Sequence, residues 1–147
     1  ASERAWIFQA NPQRYDIINA LADDEIGPYM HWLVNQHKKE IVKGDAGIIW
    51  LSGKEAGIYA ITEIVTDPQV MEEPEAEKKY WADEDDKKGK KLRVKMKIVK
   101  NLLNRPIFKE SIIQTNGLQM MSILRNPRGT NFLVTPEEWN IIKDLIK

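Results

Sequence analysis

The sequence predicts an α+β fold: a small curved sheet or open barrel with short helices at its periphery. Three observations point there. Two apolar, β-branched runs, Ile48–Leu51 and Ile58–Val65, flank Ser52-Gly53-Lys54-Glu55-Ala56-Gly57 and read as a central hairpin. "LRVKMKIVK" at 92–100 alternates as a half-exposed strand does, with Leu92, Val94, Met96 and Ile98 on the apolar face and Arg93, Lys95 and Lys97 facing away. Thr135-Pro136-Glu137-Glu138 is a capping box with proline at the first helical position, so a helix closes the chain. Strands interleaved with short helices give a sheet that needs helical cover.

In chain order, "AWIFQA" (5–10) is a first strand of aromatic and β-branched residues. Asn11-Pro12 then opens a helix carrying Tyr15, Ile18 and Leu21 on one face, with Gly27-Pro28 beyond its end. "YMHWLV" (29–34) is a short strand or extended turn, and "VKGD" (42–45) is a turn leading into the hairpin. Residues 67–91 read as a long polar loop containing Tyr80-Trp81. Helices are expected near 109–115 and 117–124, an extended segment at 130–135, and a last helix with Trp139, Ile142 and Ile146 on one face. No repeat period is visible, and 1–147 reads as a single domain.

Composition narrows the function. There are no cysteines, which excludes a disulfide framework, a cysteine nucleophile and a thiolate metal site. No apolar run approaches the roughly 20 residues of a membrane span. The first residues lead directly into a strand rather than a secretory signal, so the expectation is a cytoplasmic protein with no membrane partner. The start at Ala1 fits a domain cut from a longer chain as well as a processed terminus. Lys plus Arg and Asp plus Glu each total 22, yet a large share of the acids sits in 72–91, and the rest of the chain leans basic.

No catalytic constellation assembles. His31 and His37 are six apart, off the helical metal-ligand spacing, with no carboxylate beside them in sequence. There is no nucleophile elbow and no phosphate-binding glycine loop. The acids at 83–86 lack calcium-loop spacing and read as a solvated run. The expectation is no enzyme, no metal and no cofactor. The tryptophans stand out instead. Trp6 and Trp139 read as core, and Trp81 lies in the polar loop. Trp32 precedes Val34 and Asn35, while Trp50 precedes Leu51, Ser52 and Gly53; these two are either core or the walls of a pocket for a flat ligand. Indole faces stack on nucleobases with about 1–3 kcal/mol per base.

"WIFQANPQRYDI" (6–17), "HWLVNQHKKEIVKGDAGIIWLSGKEAGIYAITEIVTDP" (31–68) and "SILRNPRGTNFLVTPEEWNII" (122–142) together resemble the EVE domain, in the right order and over most of the chain. That family belongs to the PUA-like superfamily and is similar in fold to the YTH domain. The resemblance implies a mixed, barrel-like sheet with flanking helices and an aromatic pocket for a flipped, modified base. It implies Trp32, Trp50 and Ser52 as pocket residues, with Gln9, Ala10 and Asn11 on the rim. Val34, Asn35, Leu51 and Gly53 lie beside them. Lys38, Lys39, Lys54, Arg125 and Arg128 are the basic residues placed to meet phosphates, and Lys95 and Lys97 are either phosphate contacts or a solvated strand face. Some relatives carry histidine where this chain has Leu51, so polar readout there is absent. Within the family the chain looks like either a stand-alone member or the modified-DNA-sensing domain of a McrB-type restriction protein, the latter with a fused or associated AAA+ motor as partner.

Three functions are therefore in play: a non-catalytic reader of N6-methyladenine or a modified cytosine in DNA, an RNA-binding module, and a sensor or minor hydrolase of small nucleotide derivatives. On the first, Trp32→Ala is expected to abolish binding with the fold retained.

Overall fold

Strands β1 (Ala5–Ala10) and β3 (Ala46–Leu51) carry apolar residues at nearly every position because both of their faces are covered. This follows from the computed structural model of the chain, which describes residues 4–146. The two strands pair in parallel, with Phe8 opposite Ile49 and Ala10 opposite Leu51. Trp6, Phe8, Ala10, Ile49 and Leu51 enter an inner core; Ala5, Ile7, Ile48 and Trp50 enter an outer one.

The remaining pairings are antiparallel. β4 (Gly57–Ile64) completes the predicted hairpin, and with β2 (Tyr29–Leu33), β6 (Lys90–Asn101) and β8 (Asn131–Val134) the order is β2-β6-β4-β3-β1-β8. Short strands β5 (Gln69–Glu72) and β7 (Ile107–Phe108) attach to β6 and β4. Bulges after Ile49 and Ile61 bend the sheet into a curled half-barrel. At one end its outermost strands are joined by side chains. Asn131 Oδ1 accepts the Asn35 and Gln36 N–H groups at 2.7 and 3.1 Å, and Asn131 Nδ2 donates to the Leu33 carbonyl at 3.0 Å. These amides stand in for a ladder and blunt the sheet edge.

Helices α4 (Lys109–Ile113), α5 (Ser122–Arg125) and α6 (Pro136–Leu145) cover the outer core through Ile112, Ile123, Trp139 and Ile142. The capping box forms as expected, with Glu138 N donating to Thr135 Oγ1 at 3.2 Å and Thr135 N to Glu138 Oε1 at 3.0 Å. Thr135→Ala is expected to cost about 1 kcal/mol, a fall in Tm of about 2–4 °C in a thermal melt followed by circular dichroism. None of the described helices is long and apolar enough to cross a membrane.

Four expectations need correction. The helix expected from Asn11 begins later, as α1 (Ile17–Leu21) capped by Asp16. Tyr15 is drawn into a β-bridge with Trp81, which holds 12–14 in a turn. The expected polar loop 67–91 is an ordered arm: β5, then α2 (Glu75–Lys78) and α3 (Glu84–Lys87), with Glu73, Glu77 and Trp81 buried. Arg93, expected to face solvent, is 0 % exposed because that arm brings a carboxylate to it. The helix at 117–124 shrinks to α5, since Gly117 takes a left-handed φ of 94° that ends the preceding turn.

Candidate functional site

Where β1, β2 and β3 end, the half-barrel opens into a cleft of about 540 Å3, a size typical of small-ligand sites. Tyr15, Trp32 and Trp81 form its aromatic wall. The Trp32 and Trp81 rings are nearly parallel, 15° apart with centroids at 5.6 Å, and Tyr15 meets both edge-on at 4.8 and 4.7 Å. The two indoles touch. A flat ligand between them needs about 7 Å, two van der Waals contacts of about 3.5 Å each. Such a ligand therefore spreads the pair by moving the arm, or lies against its cleft-facing edge.

Buried polar groups hold Trp81 there. Its indole N–H donates to Glu73 Oε2, and Arg93 Nη1 lies 3.3 Å from the same oxygen. Burial pushes the Glu73 carboxyl above its ordinary value, outweighing the lowering influence of the Trp81 N–H and the Arg93 guanidinium. Glu77 receives the His31 backbone N–H at 2.7 Å and pairs with His31 Nδ1 at 2.8 Å. His31 thus has the carboxylate partner that its sequence neighbours do not supply, and Glu77 occupies an N–H of edge strand β2. The Tyr15 hydroxyl is buried without a hydrogen-bond partner among the described residues; burial and these two glutamates raise its pKa far above the ordinary tyrosine value. At the arm's outer side the Tyr80 hydroxyl donates to Asp23, which lowers the Asp23 pKa, with Lys79 adding to the effect.

The rim is built from strand ends and one loop. Gln9 Nε2 donates to the Pro127 and Gly129 carbonyls at 2.9 and 2.8 Å, and Asn35 Nδ2 to Thr130 Oγ1 at 2.8 Å. The Ser52 hydroxyl and the Asn11 side-chain N–H2 carry no hydrogen bond among the described residues, so both can address a ligand edge. Arg14, Lys91 and Asp86 complete the mouth.

Of the residues expected from the sequence, Gln9, Asn11, Trp32, Asn35 and Ser52 line the cleft together. Ala10, Val34 and Leu51 lie behind it in the inner core. Gly53 and Lys54 border an adjoining groove. Trp50 is placed elsewhere. It packs in the outer core with Ile48, as period-two alternation requires, while Ser52 follows the strand's end and turns into the cleft. Lys38, Lys39 and Arg125 are not among the cleft residues; Arg125 Nε donates to the Met120 carbonyl at 2.8 Å. Arg128 is exposed between Pro127 and Gly129, which do line it. Trp32 is 3 % exposed and wedged between two aromatic rings, so Trp32→Ala would remove about 3–5 kcal/mol of packing along with any binding, contrary to the expectation of a retained fold.

Tyr15, Trp81, Arg14, Asp86 and Lys91 were not singled out from the sequence as site residues. The available signal was an aromatic pair, Tyr80-Trp81, inside an acidic segment: a tryptophan there has to find apolar cover. Among the described residues, no group of three or more His, Cys, Asp or Glu side chains is placed to hold a metal ion.

The chain matches the EVE domain family over residues 4–145. No curated protein matches it. Among solved structures, a hypothetical protein from Leishmania major is similar at 18% identity and TM-score 0.68, over 97% of this chain and 94% of that one. A Pseudomonas putida protein is similar at 22% identity and TM-score 0.65, over 96% and 98%. Human THYN1 protein, in complex with 5-methylcytosine-containing DNA, is similar at 17% identity and TM-score 0.65, over 97% of each chain. At these identities the likeness is one of fold.

Proposed function

The chain belongs to the EVE-domain family, and from that premise we propose that it is a non-catalytic module that reads a modified base in DNA. The base leaves its duplex and enters the cleft bounded by Tyr15, Trp32 and Trp81. The observation that carries this reading is the aromatic wall itself, set beside two unengaged polar groups, Ser52 Oγ and the Asn11 side-chain N–H2. The fold shared with human THYN1, whose DNA contains 5-methylcytosine, favours a methylated cytosine as the mark. Cleavage or translocation would fall to a separate motor, fused or associated.

The energetics make the modification decisive. Flipping a base costs a few kcal/mol, and stacking returns about 1–3 kcal/mol. An unmodified base is thus held near break-even. Burying one added methyl contributes about 0.8 kcal/mol, about a fourfold gain in affinity.

The test is fluorescence anisotropy with labelled duplexes of one sequence, either unmodified or carrying one 5-methylcytosine, 5-hydroxymethylcytosine or N6-methyladenine, plus a matched methylated RNA. The expected result is at least about fourfold tighter binding of one modified duplex, 5-methylcytosine first, with a change in tryptophan emission as the Trp32–Trp81 pair is disturbed. Equal, weak binding to all duplexes overturns the proposal. RNA bound about tenfold tighter, about 1.4 kcal/mol, makes this an RNA reader.

A further inference from the structure

We propose that Arg14 and Lys91 form a phosphate subsite at the mouth of the cleft, filled in the folded chain by the Asp86 carboxylate, which a nucleic-acid phosphate displaces. This rests on the reading of the cleft as a nucleic-acid site. Asp86 Oδ1 lies 2.9 Å from Arg14 Nη2 and 3.9 Å from Lys91 Nζ. All three residues line the same cleft as Trp32 and Trp81, and among the described residues Arg14 and Lys91 are the basic side chains that do.

The exposures run the right way for displacement. The Arg14 side chain is 64 % exposed and that of Lys91 36 %, while that of Asp86 is 13 % exposed. The cations are therefore the members that solvent and a ligand phosphate can reach, and an ion pair with one partner this exposed is screened by water. The second Asp86 oxygen, Oδ2, is buried with no hydrogen-bond partner among the described residues, so the carboxylate uses only half of its acceptor capacity. A phosphodiester brings the same charge, and its two free oxygens suit the forked guanidinium. With equal numbers of acidic and basic residues, the chain has no global field to draw in nucleic acid. A masked cation pair adds selectivity: a phosphate competes well with Asp86 when the adjoining base is also stacked.

The experiment compares the intact chain with Asp86→Asn, Arg14→Ala and the double variant. Affinity for the 5-methylcytosine duplex is measured across a salt series, and the Arg14 Nε–H NMR signal is followed during titration with inorganic phosphate. Asp86→Asn is expected to bind about 3- to 10-fold tighter at low salt, with the log–log salt slope steeper by up to about one. Arg14→Ala is expected to bind more weakly, with a slope shallower by about one. In the Arg14→Ala background Asp86→Asn should lose most of its effect. Phosphate should shift the Arg14 signal further in Asp86→Asn than in the unchanged protein. If Asp86→Asn leaves affinity and slope unchanged, or weakens binding, while modified duplex is still preferred, the subsite is overturned and the base reading stands. If no duplex binds at all, the base reading fails, and the phosphate titration alone decides the subsite: a shift upholds it and a flat signal removes it.

Discussion

Arg93→Met is expected to cost about 3–5 kcal/mol at pH 7, lowering Tm by about 6–20 °C, and to cost much less near pH 4.5. Arg93 is fully buried on β6, where it faces Glu73 and donates through Nε to the Met71 carbonyl at 3.4 Å. Methionine keeps much of the stem's volume but strands a buried carboxylate beside Glu77. Glu73 already sits above its ordinary 4.5 because burial outweighs the pull of its partners, and Arg93 is one of those partners. Removing Arg93 raises the folded-state pKa further. An acid whose pKa is higher in the folded than in the unfolded state contributes stability in full below the unfolded value and loses it as pH rises through the folded one. The variant's deficit therefore opens as pH climbs from about 4.5 toward 7. Urea denaturation at both pH values measures it. A deficit equal at the two would mean that lost packing, not stranded charge, is the cause. Adding Glu73→Gln should recover most of the loss, because the glutamine carbonyl can still accept the Trp81 N–H.

The same buried pair explains what the sequence conceals. Patterns confined to a few neighbouring residues were legible: the 47–65 hairpin, the β6 strand itself, and the Thr135 capping box all formed. Side-chain destinations set by distant partners were not. Alternation placed Arg93 outward, and its partner Glu73 lies on the arm that folds back over β6. Trp81 reaches Trp32 across that same fold-back. For Trp50 the difficulty is different. A strand buried on both faces shows no polar side, so alternation says that Ile48 and Trp50 agree without saying which core they enter. The resemblance to EVE domains ordered the segments correctly, and it led to Trp32 and Ser52 in the cleft.

Trp50 and Trp81 therefore make a matched pair of substitutions with opposite expected readouts. Both are nearly buried, at 3 % and 6 % exposure. Either one changed to leucine should lose stability of the order of a large-to-small core change, about 2–4 kcal/mol. Their effects on binding should separate. Trp81→Leu removes a ring from the cleft wall, and losing a stacking face worth about 1–3 kcal/mol weakens binding of the modified duplex by about 5- to 150-fold. Trp50→Leu leaves that wall intact, so affinity per folded molecule should stay within about twofold. Circular dichroism melts give the folded fraction, and anisotropy on the same samples gives the affinity. Should either leucine variant melt near the assay temperature, both measurements are repeated at a lower temperature, where the folded fraction recovers. If Trp50→Leu lost binding while Trp81→Leu kept it, the ligand would enter from the outer face of the sheet, and the aromatic cleft would be only the inner core's exposed edge. Loss confined to Trp81→Leu would instead tie recognition to the arm: the segment that reads as solvated charge would supply one wall of the site and, through Glu73 and Arg93, the means of holding it.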